Sequence, residues 1–278
     1  MIDLHTHSNA SDGELTPSAL ISLAAEKNIS HIALTDHDTI SGLNEAIKKA
    51  DKNNITLIPG VEIEVNFEPG EFHLLGLGIW DYNNGILDNF LKEIRNRRKN
   101  RNNDMITKMR DDGLKISLKK LEKYSKGEVT GRLHFAMWLI DNGYSKSVPE
   151  CFAKFIGPDG PYYIPKHRPE VKEAIEVIHA SGGKAVIAHP LSLWITMTRF
   201  KKYITGWKEN GLDGIEAYHS GASLREAARF AEIAKENNMI ITGGSDFHGN
   251  GRPDRQLGIS SGGRKLENME MVYPLLEK

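Results

Sequence analysis

Short apolar runs alternate with helical patterns over residues 1–83 and again from about 164 onward, and most of the runs close on a histidine or a carboxylate. Ile2–Leu4 leads into His5 and His7, and His31–Thr35 into Asp36-His37. Ile55–Val61 ends at Glu62, Ala185–Ala188 at His189, Gly214–Ala217 at Tyr218-His219, and Met239–Thr242 before Ser245-Asp246-Phe247-His248. Phe72–Ile79 is a further strand candidate, with His73 near its start. Helices are expected between them, the first opened by the Thr16-Pro17 pair, an N-cap followed by proline at the first helical position. Repeated β–α units of this kind predict a parallel sheet or barrel. In such folds the loops after the strands converge on one face, so residues far apart in sequence reach a common cavity.

Residues 84–163 have a different texture. They are helical, with pieces expected over 84–112, 117–124, 130–142 and 147–155, broken by Gly127, Gly143 and Gly157-Pro158. The expected organisation is therefore an α/β domain split into 1–83 and 164–278 by a helical insertion at 84–163. The run Arg95-Asn96-Arg97-Arg98-Lys99-Asn100-Arg101 invites a nucleic-acid reading. Ile86, Phe90, Ile94, Met105, Ile106 and Met109 around it follow an amphipathic helix instead, so a solvated basic face is the plainer view.

A formal net charge of -1 argues against a protein that coats nucleic acid through overall basicity. The single cysteine, Cys151, rules out an intramolecular disulfide and a cysteine-rich zinc site. No secretory leader and no membrane-spanning run are visible, which makes a reducing cytoplasm the expected location and a membrane partner unexpected.

Each polar cluster alone is weak evidence. With 11 histidines in 278 residues, one His-x-His is expected by chance roughly 0.4 times. The weight lies in several independent strand ends all closing on imidazole or carboxylate, a donor set without thiolate that suits Mn²⁺, Zn²⁺ or Fe²⁺. Taken together, Asp3-Leu4-His5-Thr6-His7-Ser8 with Asp12, Thr35-Asp36-His37-Asp38, Pro59-Gly60-Val61-Glu62, Ala188-His189-Pro190 and Gly244-Ser245-Asp246-Phe247-His248 resemble the PHP (polymerase and histidinol phosphatase) family. The resemblance covers essentially the whole chain. It implies a distorted (β/α)₇ TIM-like barrel with a helical insertion domain, and two or three divalent metal ions, Mn²⁺ favoured. The implied ligands are His5, His7, Asp12, His37, Glu62, His73, His189, Asp246 and His248.

Phe72-His73-Leu74-Leu75-Gly76, Gly131-Arg132-Leu133-His134-Phe135-Ala136 and Gly160-Pro161-Tyr162-Tyr163-Ile164-Pro165 look like the nucleotide-phosphoesterase branch of that family. The resemblance implies hydrolysis of the 3′-phosphate of nucleoside 3′,5′-bisphosphates, and of short oligonucleotides from the 5′ end. A divalent ion lowers a bound water's pKa from 15.7 toward about 7 and so supplies hydroxide at neutral pH. Catalytic roles are expected of Glu62, His134 and Asp246, with Glu62 bridging metals. Substrate contacts are expected of Arg132, His134, His219 and Ser245, the guanidinium of Arg132 suiting a phosphate bidentately. A small phosphorylated substrate is the implied partner, with no stable protein partner. The rival readings are a small-metabolite phosphatase, such as one for histidinol phosphate, and a non-catalytic metal-bound module. Asp36 and Asp38 fit equally as ligands or as carboxylates that orient a ligating imidazole. His31, His167 and His179 read as structural histidines, and Gly243-Gly244 and Gly262-Gly263 as close-approach turns.

Overall fold

The computed structural model describes residues 1–124 and 130–276, so Gly127 lies outside the described residues. Seven strands form one sheet in chain order: β1 (Ile2–Asp3), β2 (His31–Leu34), β3 (Thr56–Val65), β4 (Phe72–Leu77), β5 (Lys184–Ile187), β6 (Gly214–His219) and β7 (Ile240–Gly244). Between them run α1 (Pro17–Glu26), α2 (Leu43–Asn53), α3 (Ile86–Asp111), α4 (Leu118–Leu121), α5 (Arg132–Asp141), α6 (Val148–Cys151), α7 (Val171–Ala180), α8 (Met197–Glu209) and α9 (Leu224–Glu236). The helix starts are written in local chemistry. The Thr16 hydroxyl accepts from the Ala19 amide at 3.1 Å ahead of Pro17, and Ser223 and Glu226 form a capping box that opens α9.

The sheet nearly closes into a barrel. Beyond β7, the Thr6 and Phe247 backbones form a parallel bridge, and the Leu4 amide donates to the Gly243 carbonyl at 3.2 Å. Two features depart from a uniform (β/α)₇ repeat. β4 runs antiparallel to both neighbours, with Glu62 opposite Leu75 and Leu75 opposite Val186. β3 does not end at Glu62 but continues to Val65. It continues because Val61, Ile63 and Val65 bury one face while Glu64 is paired with Arg168 Nε at 2.7 Å on the other. The Glu62 amide also donates to the Asp36 carbonyl at 3.2 Å, holding that segment beside β3. The Gly243-Gly244 pair is likewise strand rather than turn. A Cβ on Gly244 would come within 2.3 Å of His5 Cβ, so close approach is the reason for glycine there.

Backbone contacts divide the chain into two compact units, Met1–Leu91 with Arg168–Lys278, and Lys92–His167. The sequence reading placed the insertion at 84–163; α3, Ile86–Asp111, runs unbroken through the Leu91/Lys92 boundary. In the first unit Ile2, Leu4, Ile58, Leu75 and Val186 pack with Met271, Val272 and Leu275 of the C-terminal segment. The second unit has a core of its own: Met105, Ile106 and Met109 of α3 meet Phe135, Trp138 and Leu139 of α5, with Cys151, Ile156 and Tyr162. Among the described residues no helix is long and apolar enough to cross a membrane.

Candidate metal centre

The site is assembled by polar stitches between neighbouring strand ends. Asp3 is fully buried and accepts from the Ser245 amide at 2.9 Å, the Ser245 hydroxyl at 2.6 Å and the Gly258 amide at 2.8 Å, which ties β1 to the segment after β7. Asp36 accepts from the Ser8 amide at 2.8 Å and from the hydroxyls of Ser8 and Ser11 at 2.6 Å each, fixing the loop that carries Asp12. Asp38, His189 and Asp246 all take positive φ (52°, 26° and 55°), a region that non-glycine residues rarely enter and that clusters at functional sites.

Those stitches bring the side chains together. Glu62 lies at the middle, 1% exposed. Its Oε2 is 3.3 Å from His5 Nε2, 3.1 Å from His7 Nε2 and 3.1 Å from His37 Nδ1. Its Oε1 is 2.8 Å from His73 Nδ1 and 3.0 Å from His189 Nε2. Asp246 Oδ1 stands 3.2 Å from His7 Nε2 and 3.3 Å from His248 Nδ1. Asp12 at the rim is 3.3 Å from His248 Nε2 and 3.8 Å from His37 Nε2. His73 reaches the centre because β4 is reversed, which puts the start of that strand beside the ends of its parallel neighbours.

Among the described residues three overlapping donor groups result, each with atoms within 4.8 Å of one another: His7, Asp12, His37 and His248; His5, His7, Glu62 and Asp246; and His37, Glu62 and His73. His189, the ninth residue expected as a ligand, falls outside these groups and joins them through Glu62 Oε1. The donors fit divalent cations. His5 Nε2 and His7 Nε2 are 3.1 Å apart with a carboxylate oxygen beside both, while Glu62 Oε2 and His7 Nδ1 are buried with no hydrogen-bond partner. Lone pairs converging in a buried site need positive charge among them.

The metal-free electrostatics show the same demand. Burial opposes the charge on Glu62, but the imidazoles of His37, His5 and His73 outweigh it and hold the carboxyl well below the usual range. Burial likewise opposes protonation of His5, yet Glu216 and Glu62 raise its pKa to about 10. His37, pushed to about 3, and His189 and His219, both pushed to about 4, are kept neutral chiefly by burial. A centre that carries ionised carboxylates and must borrow a proton at His5 is built for cations.

Beside the centre lies a cavity of about 420 Å³, lined among others by Asp12, His73, Trp194, His219, Arg252 and Arg255. His219 faces Asp246 Oδ2 at 3.3 Å, with its Nδ1 accepting from the Gly221 amide. Ser245, expected at the substrate, is fully buried and its hydroxyl donates to Asp3. Asp36 falls outside the donor groups, and its bonds to Ser8 and Ser11 make it an anchor for the first motif. Arg132 and His134 belong to the Lys92–His167 unit. There the Arg132 guanidinium lies 5.3 Å from the Phe152 ring centre and 5.5 Å from that of Tyr163, and His134 Nδ1 accepts from the Gly131 amide at 2.9 Å.

Two residues were missed from sequence. Glu216 is buried, with Oε1 3.0 Å from His5 Nδ1 and Oε2 accepting from the His189 amide at 2.6 Å. A carboxylate inside an apolar strand was the available signal, since buried charges are almost always paired. Arg255, against Asp246, lies in a loop with no pattern to mark it.

Comparison with known proteins agrees with this geometry. A family model described as PHP domain matches residues 3–181. The 5'-3' exoribonuclease Rnm of Escherichia coli (strain K12) is 33% identical over 248 residues, covering 88% of this chain and 84% of that protein. A 3',5'-nucleoside bisphosphate phosphatase of Chromobacterium violaceum is 34% identical over 258 residues, covering 92% and 90%. Among solved structures, a protein assigned as a metal-dependent phosphoesterase from Bifidobacterium adolescentis superposes with a TM-score of 0.81 at 27% identity, over 99% of this chain and 95% of that one. Matched over more than half its length by the family model, and carrying the family's motifs around one buried glutamate, the chain belongs to the PHP domain family.

Proposed function

We propose that the chain is a metal-dependent phosphoesterase that removes the 3′-phosphate of nucleoside 3′,5′-bisphosphates and trims short oligonucleotides from the 5′ end. The observation that carries this reading is the placement of Glu62, whose two oxygens face two different sets of imidazoles. His5, His7, Asp12, His37, Glu62, His73, His189, Asp246 and His248 would hold two or three ions. Mn²⁺ is favoured by a nitrogen and oxygen donor set without thiolate, with Zn²⁺ or Fe²⁺ as the other candidates. Metal bound at this centre would supply charge neutralisation for the phosphoryl oxygens and an acidified water at neutral pH.

The protein's own groups then position the ester. A cavity of about 420 Å³ falls within the ordinary range for small-molecule sites and suits a nucleotide. Arg252 and Arg255 are its cationic lining residues and suit the phosphate that is not cleaved. His219, kept neutral by burial, is held in place by Asp246 and the Gly221 amide. We assign the helical insertion, read from the sequence as 84–163 and forming a compact unit over Lys92–His167, the role of a substrate-binding cap. That unit holds 17 Lys and Arg against 9 Asp and Glu in a chain of net charge -1, an excess that attracts anions. Within it, Arg132 is assigned a phosphate contact and His134 the proton for the leaving oxygen. The buried free thiol of Cys151 fits a reducing cytoplasm.

The decisive test compares adenosine 3′,5′-bisphosphate with histidinol phosphate as substrates of the purified, Mn²⁺-loaded protein. Preferential release of phosphate from the bisphosphate is expected. Inertness of the bisphosphate alongside turnover of histidinol phosphate would replace this reading with the small-metabolite one.

A further inference from the structure

One wall of the cavity has no polar role in the reaction above. His189 is followed by a 3₁₀ turn, Pro190–Leu193, and then by Trp194, an indole 72% exposed at the cavity edge. Leu191, 39% exposed, adjoins it. Indoles are rarely left in water, because most of their large apolar surface is normally buried. The backbone of Trp194 is also left-handed (φ 52°, ψ 34°), a conformation disfavoured for a bulky side chain.

The turn that presents this ring is clamped. The Ser192 hydroxyl donates to the Glu71 carbonyl at 2.8 Å, and the Glu71 amide donates back to the Ser192 carbonyl at 2.8 Å. Ser192 Oγ is also 2.9 Å from His189 Nδ1, which links the turn to the metal centre. Gly70 lies so close beneath that an added Cβ would be 2.3 Å from the Leu193 carbonyl carbon. A strained, exposed aromatic on a rigid mount is what a flat ligand needs, since little conformational entropy is lost when it docks.

We propose that Trp194 is the stacking platform of a nucleobase subsite, receiving the base of the nucleotide whose phosphate ester lies at the Glu62 centre. The proposal rests on the nucleotide reading above and adds to it the residue that recognises the base. Stacking of this kind tolerates any base, because each has a π-face. The subsite therefore selects nucleotides as a class and leaves base identity open. A glycerol phosphate, with no ring, would leave the indole uncovered.

The test is steady-state hydrolysis by the Mn²⁺-loaded W194A and W194F proteins, with adenosine 3′,5′-bisphosphate and glycerol 2-phosphate as substrates. Loss of a stacked base costs about 1–3 kcal/mol, so W194A should raise the KM for the bisphosphate relative to that for glycerol phosphate by about 5- to 150-fold, and W194F should restore most of the ratio. As a second readout, adenosine 5′-monophosphate should quench the intrinsic fluorescence of the unmodified protein, and the quench should vanish in W194F. An unchanged KM ratio in W194A, with the unmodified protein turning over the bisphosphate, overturns the stacking proposal alone, as does a quench that persists in W194F. Absence of nucleotide turnover by the unmodified protein overturns the nucleotide reading and the subsite with it.

Discussion

Glu216 spends both oxygens on the centre without entering a donor group, accepting from the His189 backbone and lying beside His5 Nδ1. That contact directs the other His5 nitrogen, Nε2, toward Glu62 and Asp246. A partner of this kind fixes the tautomer of a ligating imidazole, and its loss typically lowers metal affinity 10–100-fold. Glu216→Gln should therefore weaken Mn²⁺ binding by about that factor, measured by calorimetric titration of the metal-free protein, with the fold retained by circular dichroism. Ser245 makes a contrasting case. With its hydroxyl given to buried Asp3, Ser245→Ala should leave the KM for the bisphosphate unchanged and cost about 1–3 kcal/mol in denaturant unfolding, the penalty for an unsatisfied buried acceptor. A raised KM with unaltered stability would restore the substrate contact that the sequence suggested.

At the level of elements, the strand ends were legible because short apolar runs closing on a histidine or a carboxylate are local signals. The direction of a strand is not local. Phe72–Leu77 reads equally well either way, and only its pairing with β3 and β5 reveals the reversal that carries His73 inward. Glu62 was read as a strand end for a similar reason. The sequence shows the carboxylate, but not that the Asp36–Asp38 segment extends the sheet beside it. Arg255 carried no signal at all, since a loop arginine looks like any solvated one until Asp246 is placed against it. The amphipathic reading of α3 identified Met105, Ile106 and Met109, which pack with α5 around Phe135. Phe135 is fully buried in that separate core, so Phe135→Ala should destabilise the Lys92–His167 unit by about 3–5 kcal/mol. Hydrogen exchange should show protection lost mainly in residues 92–167, and a loss spread evenly over the barrel strands would contradict the independence of the two cores.

Across the whole molecule, the histidine cluster sets how stability responds to pH and metal. In the metal-free protein His37 titrates at about 3 and His189 and His219 at about 4, whereas an unperturbed histidine titrates at 6.5. Below about 6.5 the unfolded chain therefore binds more protons than the folded one, and these three residues make stability fall as the pH drops toward 4. His5 acts in the opposite sense. Raised to about 10, it contributes full stability below 6.5 and loses it as the pH climbs through 10. Thermal denaturation of chelator-treated protein should peak near neutrality and decline on both sides. Mn²⁺ at 100 times its Kd should then add about 2.7 kcal/mol, because the folded centre alone gathers the ligands. A pH-independent Tm that metal does not move would contradict the described centre.

The barrel seam also sets the order of events during synthesis. Leu4 is bonded to Gly243, and Asp246 donates its amide to the His5 carbonyl at 2.9 Å, so the ligands first made by the ribosome wait for some of the last. A nascent chain that has emerged only through β6 holds His5, His7, His37 and Glu62 but neither Asp246 nor His248. Long-range closure of this kind is slow compared with forming local helices. Completion of the two donor groups that use Asp246 or His248 is therefore a late step, and a stalled or truncated chain would hold only the His37, Glu62 and His73 group.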